Sequence, residues 1–195
     1  MERVTKLVVL SQITFLVLVG LCVTILPHFL FERNEGGLSN YGVHASTAVF
    51  YTLAFVLSAV FQLRAAYALP QAGDCRLLRA VFMITAYSLL LVLVTTYPYQ
   101  RSIVYGNIHM AANIWIFCFE MLAGGWIALV FRRSVISILL LLLQLLAFVL
   151  VVLTFLGTIH LLFIAQILTA VSFGLLLLMS TSKKQKRTTS QIVLP

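Results

Sequence analysis

Six apolar segments dominate this chain of 195 residues. Each is roughly 20 or more residues long, enough to cross a hydrocarbon core about 30 Å thick as an α-helix, whereas a barrel strand needs only about 9–11 residues. The segments also lack the alternation of apolar and polar residues that marks barrel strands, so helices are predicted. They cover residues 7–30, 45–68, 77–97, 106–131, 134–155 and 158–180.

The composition places most of the chain in lipid. Hydrophobic residues make up 62% of the chain and charged residues only 9%, whereas a soluble domain carries about 25% charged residues. In lipid, the backbone has to close its hydrogen bonds internally. We therefore predict an all-α polytopic membrane protein with six transmembrane helices in one bundle. The transmembrane domain is expected over residues 1–182, followed by a basic, disordered cytoplasmic tail over residues 183–195.

Lysine and arginine are distributed unequally between the two sides of the predicted bundle. Eleven fall on the side of the chain termini, and only Arg33 and Arg101 fall on the other. Basic residues stay on the cytoplasmic side of a membrane, so both termini are predicted to be cytoplasmic. The formal net charge of +8 is then a topology signal, and no nucleic-acid partner is expected. A plasma membrane or a bacterial inner membrane is the expected location.

The fourth predicted span carries polar residues on one helical face. His109, Asn113 and Glu120 are four and seven positions apart, which places them on the same side of a helix. A lone carboxyl group as deep as Glu120 is expected to be protonated, hydrogen-bonded or in contact with water, because burying an unpaired charge is costly. Glu120 is therefore interpreted as an interhelical hydrogen-bonding group, a proton site or the polar floor of a cavity that opens outward.

The second predicted span carries a matching stripe, which is expected to pack inward, against the fourth span. It consists of His44, Thr47, Tyr51, Phe55, Ser58 and Gln62. Ordinary hydrogen bonding between helices is enough to explain its threonine and serine. Polar residues of the last two spans are expected to join the same interior: Gln144, Gln166, Thr169 and Ser172.

The four histidines lie near span ends on the side opposite the termini: His28, His44, His109 and His160. Imidazoles are tolerated at membrane interfaces, so this placement alone does not define a site. Together with Glu32 or Glu35, they would suit zinc, copper or iron, or general acid–base chemistry on a lipid head group. No HExxH motif or equivalent local spacing supports a metal.

Several cofactors and reactions are disfavoured by the residues present. A retinal protein needs a lysine within a span, and no lysine lies between Lys6 and Lys183. A two-haem cytochrome needs histidine pairs in both leaflets, and the inner leaflet has none. One haem between His44 and His109 has little support, so haem is disfavoured. The only aspartate, Asp74, lies on the predicted cytoplasmic side, so an external Ser-His-Asp triad would need a glutamate in its place.

Two short motifs lie on the predicted outer side. Ser39-Asn40-Tyr41-Gly42 ends the first external loop, and His109-Met110-Ala111-Ala112 opens the fourth span. With the six-span topology, they resemble the FRAG/DRAM/Sfk superfamily and its bacterial relatives. In the better-known members the loop usually reads Ile-Ser-Asp/Ala-x-Gly, and this chain has Leu38 in place of the isoleucine and Asn40 in place of the aspartate or alanine. Those members also have an acidic residue after the histidine, where this chain has Met110. The resemblance implies a membrane protein tied to lipid organisation or to the handling of lipid anchors.

Three hypotheses for function follow. The first is a non-catalytic, accessory or regulatory protein in which the loop over residues 31–44 roofs an outward-facing polar pocket for a lipid head group or another membrane protein. The second is a membrane-embedded, metal-dependent enzyme that uses the four histidines. The third is a small proton-coupled transporter with Glu120 as the proton site. The candidate pocket residues are His44, Tyr51, His109, Asn113, Glu120, Glu35 and Asn40.

Overall fold

The computed structural model describes residues 1–27, 37–97, 102–131 and 133–192, and these residues form helices and connecting turns without β-strands. In chain order the helices are α1 (Glu2–Ile25), α2 (Ser39–Val43), α3 (Ala48–Ala68), α4 (Asp74–Thr96), α5 (Ile103–Trp126), α6 (Val135–Phe155) and α7 (Leu162–Ile192). One π-helical turn over Ile127–Phe131 extends α5.

Six of these helices are long and apolar enough to cross a membrane, as expected of an integral membrane protein. They coincide with the six predicted segments to within a few residues at most ends. The short helix α2 lies between the first two of them. The prediction of an all-α bundle with six spans is therefore confirmed.

The last helix is longer than its apolar segment. Its backbone is helical as far as Ile192. The helix therefore runs through the basic cluster at 183–187, where a disordered tail is expected from the sequence. Lysine, arginine and glutamine all have good helix propensity, so the helix can continue beyond its apolar part. The division into a transmembrane domain and a tail stays a prediction.

Five helices surround the interior of the bundle. Helix α1 packs against α3 and α7, and α4 packs between α3 and α5. Helix α7 closes the ring by contacting both α1 and α5. Helix α6 packs mainly against α7 on the outside of the ring, and many of its apolar side chains are exposed, as a lipid-facing helix requires.

Both chain termini lie at the same end of the bundle. The hydroxyl groups of Thr5 in α1 and Thr181 in α7 are joined by a 3.2 Å hydrogen bond, and an apolar cluster at this end contains both Val4 and Leu177. The described basic residues of the helix ends lie there too: Arg3, Lys6, Arg64, Arg76, Arg79 and Arg133. The charge asymmetry therefore persists in the folded chain, and the cytoplasmic location of this end stays a prediction.

Candidate functional site

Helix α2 lies inside the bundle at the end opposite the termini. Its residues Ser39, Asn40 and Tyr41 are only 1%, 3% and 0% exposed. Leu38 and Tyr41 belong to an apolar cluster with residues of α1, α3, α4 and α5. The last part of the predicted roofing loop therefore packs between the helices, where its side chains have to find partners.

The start of α2 is held by the last helix. Gly37 has a φ of +52°, in the left-handed region that favours glycine, and a Cβ there would collide with the side chain of Gln166. The Oε1 atom of Gln166 accepts a 2.7 Å hydrogen bond from the backbone N–H of Leu38. Helix α7 thus satisfies a buried backbone donor that the short helix cannot satisfy itself.

The other end of α2 packs closely on α3 and α4. A Cβ on Gly42 would lie 2.6 Å from Cγ2 of Thr96 and 2.7 Å from the ring of Tyr51. Tyr51 and Thr96 are fully buried, and their hydroxyl groups form a 3.1 Å hydrogen bond with each other. The backbone of α2 approaches these two side chains so closely that only glycine fits at position 42.

The side chain of His109 joins α2 to α4 and α5. Its Nε2 atom lies 2.7 Å from Oγ of Ser39 and 3.0 Å from Nδ2 of Asn113. Its Nδ1 atom lies 3.0 Å from Oγ1 of Thr95. The ring is 6% exposed, so these bonds lie in an interior from which bulk water is excluded.

The partners of His109 determine which ring nitrogen carries the proton. The side-chain nitrogen of Asn113 also lies 2.9 Å from the backbone carbonyl of His109, which can only accept, so this nitrogen is the donor. Nε2 therefore accepts, from Asn113 and from the Ser39 hydroxyl, and Nδ1–H donates to Thr95. The Thr95 hydroxyl in turn donates to the Leu91 carbonyl at 2.9 Å. The imidazole thus presents its basic nitrogen to Ser39.

A cavity of about 60 Å³ lies beneath α2 in the centre of the helix ring. Its polar lining residues include Ser39, Asn113, Glu120 and Gln166, and much of the remaining wall consists of apolar side chains of α1, α4 and α5. Glu120 is 9% exposed although it lies deep in its helix. Within the described part of the chain, no hydrogen bond or ion pair joins its carboxyl group to another residue.

A second cavity of about 40 Å³ extends toward the end that carries the termini. Glu120 lines both cavities, so its carboxyl group lies between them. The polar residues in its wall include Ser11, Gln12, Ser58, Gln62 and Thr85. Among the described residues, Oε1 of Gln62 is buried without a hydrogen-bond partner.

The predicted interior stripes are largely confirmed. In α5, His109 and Glu120 are buried and Asn113 is partly buried. The stripe of α3 is buried from Thr47 through Tyr51, Phe55 and Ser58 to Gln62. Residues predicted to join the interior from the last two spans are buried as well: Gln144, Gln166, Thr169 and Ser172. The α3 and α5 stripes face each other across the first cavity.

The described histidines differ in burial. Of these, His109 is buried, whereas His44 at the end of α2 and His160 before α7 are exposed. His28, Glu32 and Glu35 lie outside the described residues. In the described ranges, no group of three or more His, Cys, Asp or Glu side chains is placed to hold a metal ion. The four-histidine metal site stays a prediction.

Among the candidate pocket residues, Tyr51, Asn113 and Glu120 line the first cavity. His109 contacts Asn113 in its wall, and Asn40 is buried in α2. Sequence reasoning missed two members of the site, Ser39 and Thr95. The sequence holds a weak signal for the burial of Ser39. Leu38 and Tyr41 are three residues apart, so they form the apolar face of a helical turn that includes Ser39.

Comparison of the chain with protein-family models, curated proteins and solved structures gives no match. The resemblance based on the two short motifs stays a prediction.

Proposed function

We propose that this integral membrane protein interacts with lipids, and that it holds the polar head of a membrane amphiphile in the cavity beneath α2. The observation that carries the proposal is the carboxyl group of Glu120, which faces a cavity in the middle of the bundle without a described partner. Polar groups deep in a membrane protein are costly and usually serve a site or a pathway. The role we propose is accessory or regulatory.

The free hydrogen-bonding atoms of the cavity favour a head group that donates hydrogen bonds. Because Nδ2 of Asn113 is engaged with His109, its Oδ1 is left as an acceptor, about two helical turns from the Glu120 carboxyl group that lines the same cavity. Either acceptor matches a primary amine or a hydroxyl group. An amine would also offset the charge of an ionised carboxyl group.

The size of the cavity favours a small head group. A volume of about 60 Å³ has room for roughly four to six water-sized groups. The four heavy atoms of an ethanolamine group match this number. The apolar remainder of the wall would accept the first methylene groups of the attached chain. If the basic end of the bundle is cytoplasmic, the cavity beneath α2 lies toward the extracytoplasmic side.

Native mass spectrometry of the delipidated protein tests this proposal. The protein is titrated with phosphatidylethanolamine, which has an amine donor, and with phosphatidylcholine, which has none. We expect a one-to-one adduct with phosphatidylethanolamine that is weakened about tenfold, or ~1.4 kcal/mol, in Glu120→Gln. The matched control is Glu2→Gln, since Glu2 is exposed and pairs with Lys6. Equal adducts with both lipids in all three proteins would contradict the proposal.

A second candidate function is proton transfer through the bundle. It is favoured by the position of Glu120 between two cavities that extend toward opposite ends of the helix ring. Each cavity is large enough for several water molecules, which could connect the carboxyl group to either side. In vesicles with a pH-sensitive dye inside, this function predicts a proton flux that Glu120→Gln abolishes and Glu2→Gln leaves unchanged.

A further inference from the structure

We infer that Ser39 and His109 form a nucleophile–base pair that cleaves a carboxylic ester held in the cavity beneath α2. The inference rests on the proposed function, because the ester would belong to the bound amphiphile, and it adds a chemical step to binding. It is carried by one arrangement: a buried hydroxyl at the wall of a cavity that donates to an unprotonated imidazole nitrogen.

The geometry meets the requirements of an activated serine. The Oγ atom of Ser39 lies 2.7 Å from Nε2 of His109, the distance over which a base removes the hydroxyl proton. A base of this kind also needs a third group that fixes its ring. Thr95 does this by accepting from Nδ1–H at 3.0 Å, while its own hydroxyl is anchored on the Leu91 carbonyl. Thr95 is therefore a positioning residue.

The surroundings of Ser39 define the class of substrate. Ser39 and Asn113 line the same cavity, and the apolar part of its wall includes Phe15, Leu89 and Phe117. Such walls accept an acyl chain. The matching substrate is an ester whose acyl part is apolar and whose alcohol part carries the polar head.

The amide of Asn113 supplies a donor for the reaction. In the resting state its nitrogen donates to Nε2 of His109 at 3.0 Å. When Nε2 takes the proton from Ser39, it can no longer accept, and the Asn113 hydrogen becomes free for the carbonyl oxygen that gains negative charge. Donors placed at a developing oxyanion lower the barrier of acyl transfer.

The bonds and protons of the proposed step balance. Oγ of Ser39 bonds to the ester carbonyl carbon, and its proton moves to Nε2 of His109. The bond from that carbon to the alcohol oxygen then breaks, and the alcohol leaves with the proton from Nε2. A water molecule repeats the sequence on the acyl-serine, so one ester and one water give one acid and one alcohol, with both residues restored.

Covalent labelling with a fluorophosphonate probe tests the inference in the full-length protein. Oγ of Ser39 would displace fluoride from phosphorus, and mass spectrometry would locate the adduct. We expect an adduct on Ser39 that is absent in Ser39→Ala and unchanged in Ser172→Ala. Ser172 is the matched control because it is equally buried, its hydroxyl donates to a backbone carbonyl, and it does not line the cavity.

The role of the base is tested with His109→Gln. The glutamine amide oxygen can still accept a hydrogen bond from Ser39 but cannot take its proton, so the variant separates positioning from base catalysis. We expect labelling to fall by about 100-fold or more, the usual contribution of a general base. No adduct on Ser39 in the folded wild-type protein, or equal labelling of His109→Gln, would overturn the inference. The lipid adducts measured by native mass spectrometry would be unaffected by that result.

Discussion

The hydroxyl group of Ser39 donates a 2.7 Å hydrogen bond to Nε2 of His109, a residue 70 positions further along the chain. This bond connects the short buried helix α2 with α5, and His109 extends the connection to Thr95 in α4. The position of α2 and the orientation of the imidazole ring therefore depend on the same contact. Changes that shift α2 should affect both the stability of the bundle and the shape of the cavity.

Removing the acceptor for the Leu38 backbone should destabilise the protein. In Gln166→Leu, the Leu38 N–H loses the 2.7 Å bond to Oε1 and becomes an unpaired buried donor. We expect a loss of about 1–3 kcal/mol in the free energy of unfolding, measured in mixed micelles of SDS and a mild detergent. Gln144→Leu is the comparison, since the Oε1 of Gln144 is buried without a partner among the described residues and its Nε2 makes only a 3.5 Å bond to the Glu120 carbonyl. It should cost less than Gln166→Leu, and an equal loss in both variants would contradict the prediction.

Adding a methyl group at Gly42 should displace α2. The new Cβ would lie 2.6 Å from Thr96 and 2.7 Å from the Tyr51 ring, and overpacking of this kind costs about 1–3 kcal/mol. We expect Gly42→Ala to lower the midpoint of unfolding and to weaken lipid adducts in native mass spectra. Gly20→Ala is the control, because a Cβ there meets nothing within 4 Å. Wild-type behaviour of both variants would show that α2 does not pack as described.

High pH should destabilise the protein through Tyr41, whose side chain is buried outside the spans. Burial raises the pKa of Tyr41 to about 12 from its ordinary value of 10.0. The folded state thus favours the neutral phenol. The resulting contribution to the free energy of unfolding is complete below pH 10 and is lost as the pH rises toward 12. The free energy of unfolding of Tyr41→Phe should not fall in this way across the same pH range. Tyr105→Phe, at an exposed position, should retain this fall, and identical profiles for the wild type and Tyr41→Phe would refute the prediction.

The orientation of the bundle can be measured with single cysteines in a chain whose Cys22, Cys75 and Cys118 are replaced by alanine. Ser102 precedes α5 at the end that contains α2, and Gln71 lies in the exposed turn between α3 and α4 at the other end. If the basic end is cytoplasmic, an impermeant maleimide should label Ser102→Cys on intact cells and Gln71→Cys only after permeabilisation. The reverse pattern would place the cavity on the cytoplasmic side.

The spans could be predicted because length and apolarity are local properties of the sequence. The inward faces of α3 and α5 were also predictable, since polar residues at helical spacing have to share one side, and Glu120 and Gln62 are indeed buried. These predictions needed no knowledge of which helices touch. They fix the fold class and the polar interior.

The position of α2 could not be predicted in the same way. Ser39 and Asn40 read as a polar turn over the bundle, and their burial depends on partners in other helices, such as His109 and Gln166. Those contacts join residues far apart in the chain, and no local pattern encodes them. The histidines illustrate the same limit, because their shared side of the bundle is predictable while the burial of His109 and the exposure of His160 are set by tertiary packing.

Helix α2 is held inside the bundle in part by the contact between Ser39 and His109. A double-mutant cycle measures this contact directly from the free energies of unfolding of the wild type, Ser39→Ala, His109→Ala and the double variant. We expect a coupling energy of about 0.5–3 kcal/mol between the two substitutions. Effects that add to within about 0.3–0.5 kcal/mol would mean that the two side chains do not touch, and would contradict the account.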